Sequence, residues 1–416
     1  MRGKIDLAPS PQSSPVEGEE VGLGMGEGIR SKMKITKIET IPIRLPTRRV
    51  HQWASLTTPI GVYVIIKLHT DEGIVGLGEA PVLKDWGGDY GKYFGETPQT
   101  TVHIINDILA PALTGQNPSR FEVIHAMMDK AVKGYPYCKA AIDAAMYDVV
   151  GKALNVPAYQ LLGGLFRERI PIAHSLGLME IDKAVDEALQ AKAEGVKTIK
   201  LKGGVDQKRD VELVKQIRAA LGADLKICVD ANQGYPTPKA AVKIIKAMEQ
   251  YDLLYMEQPV EGIDRMAEVA RRVDTPVMAD ESAWTPQDIM EIVQKKAADI
   301  ISIYTTKPGG MFKAKKVAAI AEAAGLPCNV NGSVETGVGN AANVHLAAST
   351  GVVTYGCVVP VSTPKGKGKG GIAGIYYQDD VIQEPFEYSD GEIIVSSRPG
   401  LGVELDEDKL KHYRVS

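Results

Sequence analysis

Thr198-Ile-Lys-Leu-Lys202, Ile227-Cys-Val-Asp230, Leu253-Leu-Tyr-Met-Glu257 and Val277-Met-Ala-Asp280 are four short aliphatic runs, each closed by an ionisable residue. Each has the length and composition of a buried strand. Helix-like segments at 210–220 and 238–250 separate them. Strand and helix alternating at this pitch predict parallel strands joined by crossover helices. Working outward, further strands are expected to begin near residues 170, 300, 328 and 352, in steps of 23 to 28 residues that each fit one βα unit. The chain reads as an α/β protein built on a closed βα barrel. Lys200 and Lys202, then Asp230, Glu257 and Asp280, fall at successive strand C-terminal ends, where such barrels carry their sites.

These residue types point to one chemistry. Three carboxylates from neighbouring strands repel one another, and a divalent cation relieves that. With no Cys or His in the set, the hard oxygen donors favour Mg²⁺, with Mn²⁺ as a substitute. Asn232 and Glu281 stand close enough in sequence to orient the ligands. Alternation directs Leu201 away from the site and both lysines toward it. Lys202 could then serve as a base, its pKa depressed by burial and by Lys200 beside it. Replacing any one carboxylate by Ala should remove metal binding, and could raise the stability of the metal-free protein by relieving repulsion.

Lys200-Leu-Lys202, Asp230-Ala-Asn232, Glu257-Gln258-Pro259 and Asp280-Glu281-Ser282 together resemble the enolase superfamily. The paired lysines point to its mandelate racemase and muconate lactonizing branches. The resemblance runs from about Lys34 to near the C-terminus and includes Ala140-Ala-Ile-Asp-Ala-Ala-Met-Tyr-Asp148 and Tyr159-Gln-Leu-Leu-Gly-Gly164. It implies a modified TIM-type (β/α)7β barrel under an α+β capping domain, and Mg²⁺-assisted removal of the proton α to a carboxylate. It also implies a small carboxylate substrate and a homo-oligomer. The muconate lactonizing branch is expected to carry a second lysine at position 304. Here Ile300-Ile-Ser-Ile-Tyr304 ends in tyrosine, and Lys307, before Pro308-Gly-Gly310, matches a loop lysine. Alternation puts Ser302 and Tyr304 on one face with Lys307 beyond the strand end. The alternative is a local distortion that brings Lys307 into the vacant place. Glu335 resembles an acidic group near the bases of that branch. Asn329, Asn331 and Ser333 either bind substrate oxygens or satisfy loop backbone.

The rest of the 416 residues bounds this reading. The length predicts two domains, and 44% hydrophobic with 24% charged residues is ordinary for a globular protein. A net charge of −4 gives no nucleic-acid footprint. Cys138, Cys228, Cys328 and Cys357 are far apart in apolar contexts and read as reduced core residues of a cytoplasmic protein. No apolar run reaches the roughly 18 residues of a membrane span. Residues 1–32 read as a disordered tail, or as an artefact of an upstream start codon. Residues 33–165 form the capping domain, 166–358 the barrel, and 359–416 a segment returning to the cap. Strands are expected at 34–46, 62–69 and 74–79, and helices near 100–113, 119–131 and 137–153, the last Ala-rich and suited to close packing. One cap loop carries His51 and Trp53. Another, Trp86-Gly-Gly-Asp-Tyr90, suits a lid that excludes water. His174 either faces the site or is a satisfied structural residue. The run from Pro364 to Gly371 reads as a solvated cationic loop, and 386–395 as a returning strand.

The expected activity is that of an isomerase of the racemase, epimerase or cycloisomerase kind, acting through an enediolate. The alternative is a dehydratase (lyase), which needs a base on only one face. A binder without catalysis is a third reading, which the filled base and ligand positions disfavour.

Overall fold

The computed structural model describes residues 33–56, 59–359 and 371–415, with the backbone alone at 361–362. The expected tail at 1–32 and the lysine-glycine run at 364–370 lie outside the described residues. The described residues open with an antiparallel meander of β1 (Ile35–Arg44), β2 (Val62–Thr70) and β3 (Val75–Pro81). Its register aligns Ile41 with Ile65 and Ile65 with Glu79. The Ala-rich helix Pro136–Leu154 lies on β3 so closely that a Cβ at Gly76 or Gly78 would overlap the carbonyls of Ala145 and Ala141. Small residues on both elements permit this approach, as the composition of the helix predicted. The helix expected at 100–113 is present with a π-helical stretch, Ile104–Leu109, in its middle.

Next come β4 (Arg169–Pro171), then the barrel strands β5 (Ala173–Leu176), β6 (Thr198–Lys202), β7 (Lys226–Asp230), β8 (Leu253–Glu257), β9 (Val277–Ala279), β10 (Ile300–Ile303) and β11 (Cys328–Val330). β5 to β11 form one parallel sheet of seven strands in sequence order. The expected strand near 352 is reduced to isolated bridges, Val353 with Cys328, Cys357 with Ile172 and Val358 with Asn331. Between them the Thr354 and Tyr355 N–H groups share the Cys328 carbonyl, at 2.9 and 3.2 Å, and no continuous ladder forms, so the closure is made by single pairs. The expected first strand, 170–174, is divided. β4 leaves the barrel to pair with Glu392–Ile394, and β5 begins after Pro171, which has no N–H for a ladder. The returning strand expected at 386–395 is a hairpin, Tyr388–Ser389 and Glu392–Ile394, turning at Asp390-Gly391 with both residues at positive φ.

Side-chain alternation sorts the barrel. Ile199, Leu201, Ile227 and Val229 face the helix layer and form one core with it. Cys228, Tyr255, Met278 and Ile300 fill the interior. Residues of β1–β3, the helix Pro136–Leu154 and Leu401, Val403 and Leu405 form another core. All four cysteines are buried and free. None of the described helices is long and apolar enough to cross a membrane.

A half-buried ionic knot joins the 47–50 loop to the barrel helix Ile181–Ala193. Glu187 meets Arg48 at 2.7 Å, Arg49 at 2.9 Å and His174 at 3.0 Å. His174 also accepts from the Gly374 N–H, so it is a satisfied structural residue and not part of the site. Burial raises the Glu187 pKa, but His174 and the two arginines outweigh it and hold the carboxyl well below its ordinary range. A depressed folded pKa contributes stability above the unfolded value near 4.3, and that stability is lost as pH falls through the folded one. Urea titrations of Glu187→Gln are therefore expected to show a shallower loss of stability below about pH 4.5 than the wild type, by up to about 1.4 kcal/mol per pH unit.

Candidate active site

Parallel register sets Lys202, Asp230 and Glu257 side by side at the ends of β6, β7 and β8. Asp280 follows β9 directly. Asp230, Glu257 and Asp280 each offer an oxygen within 4.8 Å of the others, and all three are buried. Each carboxylate also meets a lysine. Lys200 Nζ donates to Glu257 Oε1 at 2.6 Å and lies 3.1 Å from Asp230 Oδ2. Lys202 Nζ donates to the same Asp230 oxygen at 2.7 Å and to Asn232 Oδ1 at 2.8 Å. Lys307 Nζ bonds to the Asp280 carboxylate and to its carbonyl. The two lysines of β6 thus share a carboxylate, in place of the simple like-charge contact that spacing suggested.

Electrostatics follow from this crowding. Burial disfavours charge on Lys200, but Asp230, Glu257 and Asp280 outweigh it and hold the ammonium well above the lysine range. Burial raises Asp230 too, yet Lys200 and Lys202 bring it below the carboxylate range. Burial and the Asp230 charge push Glu257 well upward. Glu257 Oε2 is buried with no hydrogen-bond partner among the described residues. An all-oxygen set with one unpaired buried oxygen fits a hard divalent cation, and no sulfur or imidazole competes.

Tyr304 and Lys307 take different places. Tyr304 lines the cleft and donates to Asp280 Oδ2 at 3.1 Å. Lys307 lies behind it, 2% exposed, with Nζ 4.0 Å from the Tyr304 ring centre and 5.7 Å from that of Trp86. The loop lysine is turned back because Gly309 and Gly310 adopt φ of 90° and 128°, and the Gly310 N–H bonds Thr305 O at 2.7 Å. Burial pushes Lys307 below the ordinary lysine value against the pull of Asp280. Burial and the Asp280 charge hold the Tyr304 phenol well above 10, so it stays protonated.

The cleft encloses about 460 Å³, its open mouth included. Its floor carries Lys200, Lys202, Asn232, Asp280, Tyr304 and Asn331, and Trp53 and Trp86 stand in its wall. The Trp53 ring centre is 5.5 Å from Lys202 Nζ. Asn331 donates to Ser302 Oγ at 2.9 Å and to Glu257 Oε1 at 3.3 Å. Glu281 accepts from Asn232 at 2.8 Å, which fixes the amide that meets Lys202, and burial pushes its own pKa to about 8. Glu335 is the exception among the expected site residues. It lines a separate small cavity with Glu79 and Thr305, behind the cleft, where burial raises it to about 7. Leu83, Ser175, Val334, Val358 and Tyr376 also line the cleft. No local signal marks them, because they come from segments far apart in sequence.

Comparison with known proteins agrees with this fold. Residues 37–163 match the mandelate racemase / muconate lactonizing enzyme N-terminal domain, and 183–409 the enolase C-terminal domain-like family. The chain is 36% identical to an N-succinyl-L-Arg/Lys racemase of Bacillus cereus over 92% of its length and 98% of that protein. It is 31% identical to muconate cycloisomerase 1 of Rhodococcus opacus over 92% and 98%. The crystal structure of a muconate lactonizing enzyme of Pseudomonas fluorescens with muconolactone superposes with a TM-score of 0.84 at 30% identity, covering 92% of this chain and 100% of that one. The chain is an enzyme of the enolase superfamily and belongs, with these isomerases, to the mandelate racemase/muconate lactonizing enzyme family.

Proposed function

We propose that this chain is a Mg²⁺-dependent isomerase that removes the α-proton of a small carboxylate with Lys202 as base. The observation that carries the reading is the cleft itself: Lys202 and Tyr304 line one cavity, each bonded to a different member of the acidic triad. Asp230, Glu257 and Asp280 would hold the cation. When bound, it supplies positive charge for the substrate carboxylate and the enediolate that develops from it. Lys202 Nζ takes the α-proton, while Asn232, fixed by Glu281, orients that nitrogen. Lys200 stays charged and attracts the carboxylate. Tyr304, protonated and next to the Lys307 ammonium, donates a proton on the opposite face. Trp53 and Trp86 exclude water from the cleft. That the relatives include an N-succinyl-L-Arg/Lys racemase and a muconate cycloisomerase supports a carboxylate substrate here as well.

The test is incubation with a carboxylate library in D₂O with Mg²⁺. Deuterium with inverted configuration, or ring closure, is expected; full turnover in excess chelator sinks the metal assignment. A β-elimination is the second reading, favoured by one observation: Lys307 lies behind Tyr304 and does not line the cleft, and elimination needs a base on only one face. A keto product in the same screen identifies it. Within the isomerase reading, Tyr304→Phe is expected to keep deuterium exchange on the Lys202 face and to lower net inversion about 10²-fold. Lys307→Ala, by contrast, should weaken metal binding, because it removes the ammonium that holds Asp280 and leaves only the Tyr304 hydroxyl to orient that side chain. One-sided exchange in Lys307→Ala with unchanged metal affinity would reverse these two roles.

A further inference from the structure

The loop at 84–96 descends from the capping sheet onto the barrel, and its Asp89 has no place in the chemistry above. Asp89 is 5% exposed. One of its oxygens, Oδ1, accepts from Gln233 Nε2 at 3.0 Å, the Gly262 N–H at 3.0 Å and Ser282 Oγ at 2.9 Å. Those donors stand on the loops that follow β7, β8 and β9, the strands that deliver the three acidic groups. The contacts continue inward. Ser282 Oγ, which donates to Asp89, accepts from Gln258 Nε2 at 2.8 Å. Gln258 Oε1 in turn accepts the N–H of Asp280 at 2.9 Å and of Ser282 at 3.2 Å. A second path starts three residues earlier, where Trp86 Nε1 donates to Glu281 Oε1 at 3.4 Å, the atom that also anchors Asn232. Trp284 stacks on Tyr93 at 4.6 Å and lies 5.4 Å from Trp86, so aromatic packing holds the same loop.

We propose that Asp89 is a positioning residue: by tying the 84–96 loop to three barrel loops it sets Asp280, through Ser282 and Gln258, in the orientation that binds the cation. This rests on the metal site proposed above. Asp89 touches neither substrate nor base. Its second oxygen, Oδ2, is buried with no hydrogen-bond partner among the described residues. The three donors therefore need one acceptor oxygen and not a charge. Asparagine supplies that oxygen, and alanine does not. Outer partners of metal ligands commonly contribute about 10–100-fold in affinity, and this one acts two bonds further out, so a smaller effect is expected.

The experiment uses the full chain and Mn²⁺ as probe, with free Mn²⁺ read by electron paramagnetic resonance and lid packing read by acrylamide quenching of tryptophan fluorescence. Asp89→Ala is expected to bind Mn²⁺ at least threefold more weakly and to quench more readily. Asp89→Asn should stay within threefold of the wild type and quench like it. Ser282→Ala, which cuts the path while leaving Asp89 in place, should weaken Mn²⁺ binding at least threefold even if Asp89→Ala does not fold. The proposal is overturned if Asp89→Ala or Ser282→Ala binds Mn²⁺ within threefold of wild type, or if Asp89→Asn falls with Asp89→Ala. A wild type that binds no Mn²⁺ overturns the metal reading as well, which keeps the two failures distinct.

Discussion

Lys202→Ala is expected to lose α-proton exchange by about 10²–10⁴-fold while still binding Mn²⁺. The two halves of this result have separate causes. Exchange is lost because Lys202 Nζ is the cleft-lining nitrogen oriented by Asn232, at 2.8 Å. Metal binding survives because Asp230 keeps Lys200, 3.1 Å from the same carboxylate oxygen, as its partner. The carboxylate is therefore not left buried and alone, and the chain should fold. Deuterium incorporation by proton NMR, on whichever carboxylate the wild type exchanges, measures the first half. Titration with Mn²⁺ measures the second. Undiminished exchange in this variant removes Lys202 from the mechanism.

Asp280→Ala is expected to abolish metal binding and to destabilise the metal-free protein, by about 3–5 kcal/mol. The sign is opposite to what three facing carboxylates suggest from sequence, where deleting one relieves repulsion. In the structure Asp280 is the carboxylate that pairs Lys307, and Lys307 is 2% exposed. Without it the ammonium keeps only carbonyl oxygens, those of residue 280 at 2.7 Å and Ser302 at 3.3 Å. Burial already pushes Lys307 toward the neutral form, so the cost is that of deprotonating it or leaving it unpaired. Urea unfolding in chelator measures the loss. Adding Lys307→Met to Asp280→Ala should restore much of the stability without restoring metal binding. If Asp280→Ala is instead more stable than wild type in chelator, repulsion among the carboxylates outweighs the lysine pairing.

Much of this protein is written locally. The strands ending in Lys202, Asp230, Glu257 and Asp280 could be read because a buried parallel strand needs only a short aliphatic run, and its C-terminal residue is by construction at the barrel mouth. Alternation then placed Lys200 and Lys202 on the interior side and Leu201 in the helix layer, as observed. Gly76 and Gly78 match the Ala-rich helix Pro136–Leu154 for the same reason, since small residues on facing elements permit close backbones. What ends a strand or turns a loop was read less well. The Asp390-Gly391 turn splits a segment read as one strand, and Pro171 separates β4 from β5.

Sequence by itself determined the βα barrel, the acidic triad and the paired lysines, because each depends on residue type and spacing within one βα unit. Only the tertiary structure decided which group faces the cleft. Lys307 turns back to Asp280 because two glycines at positive φ close a tight loop, and Tyr304 is thereby left on the cleft floor. Glu335 points into a separate cavity beside Glu79, although its position suggested the site. Asp89 gathers donors from positions 233, 262 and 282, and the cleft wall joins Leu83 to Tyr376. Contacts between segments so far apart carry no local pattern, since they exist only once the capping sheet and the barrel have packed and closed the space between them.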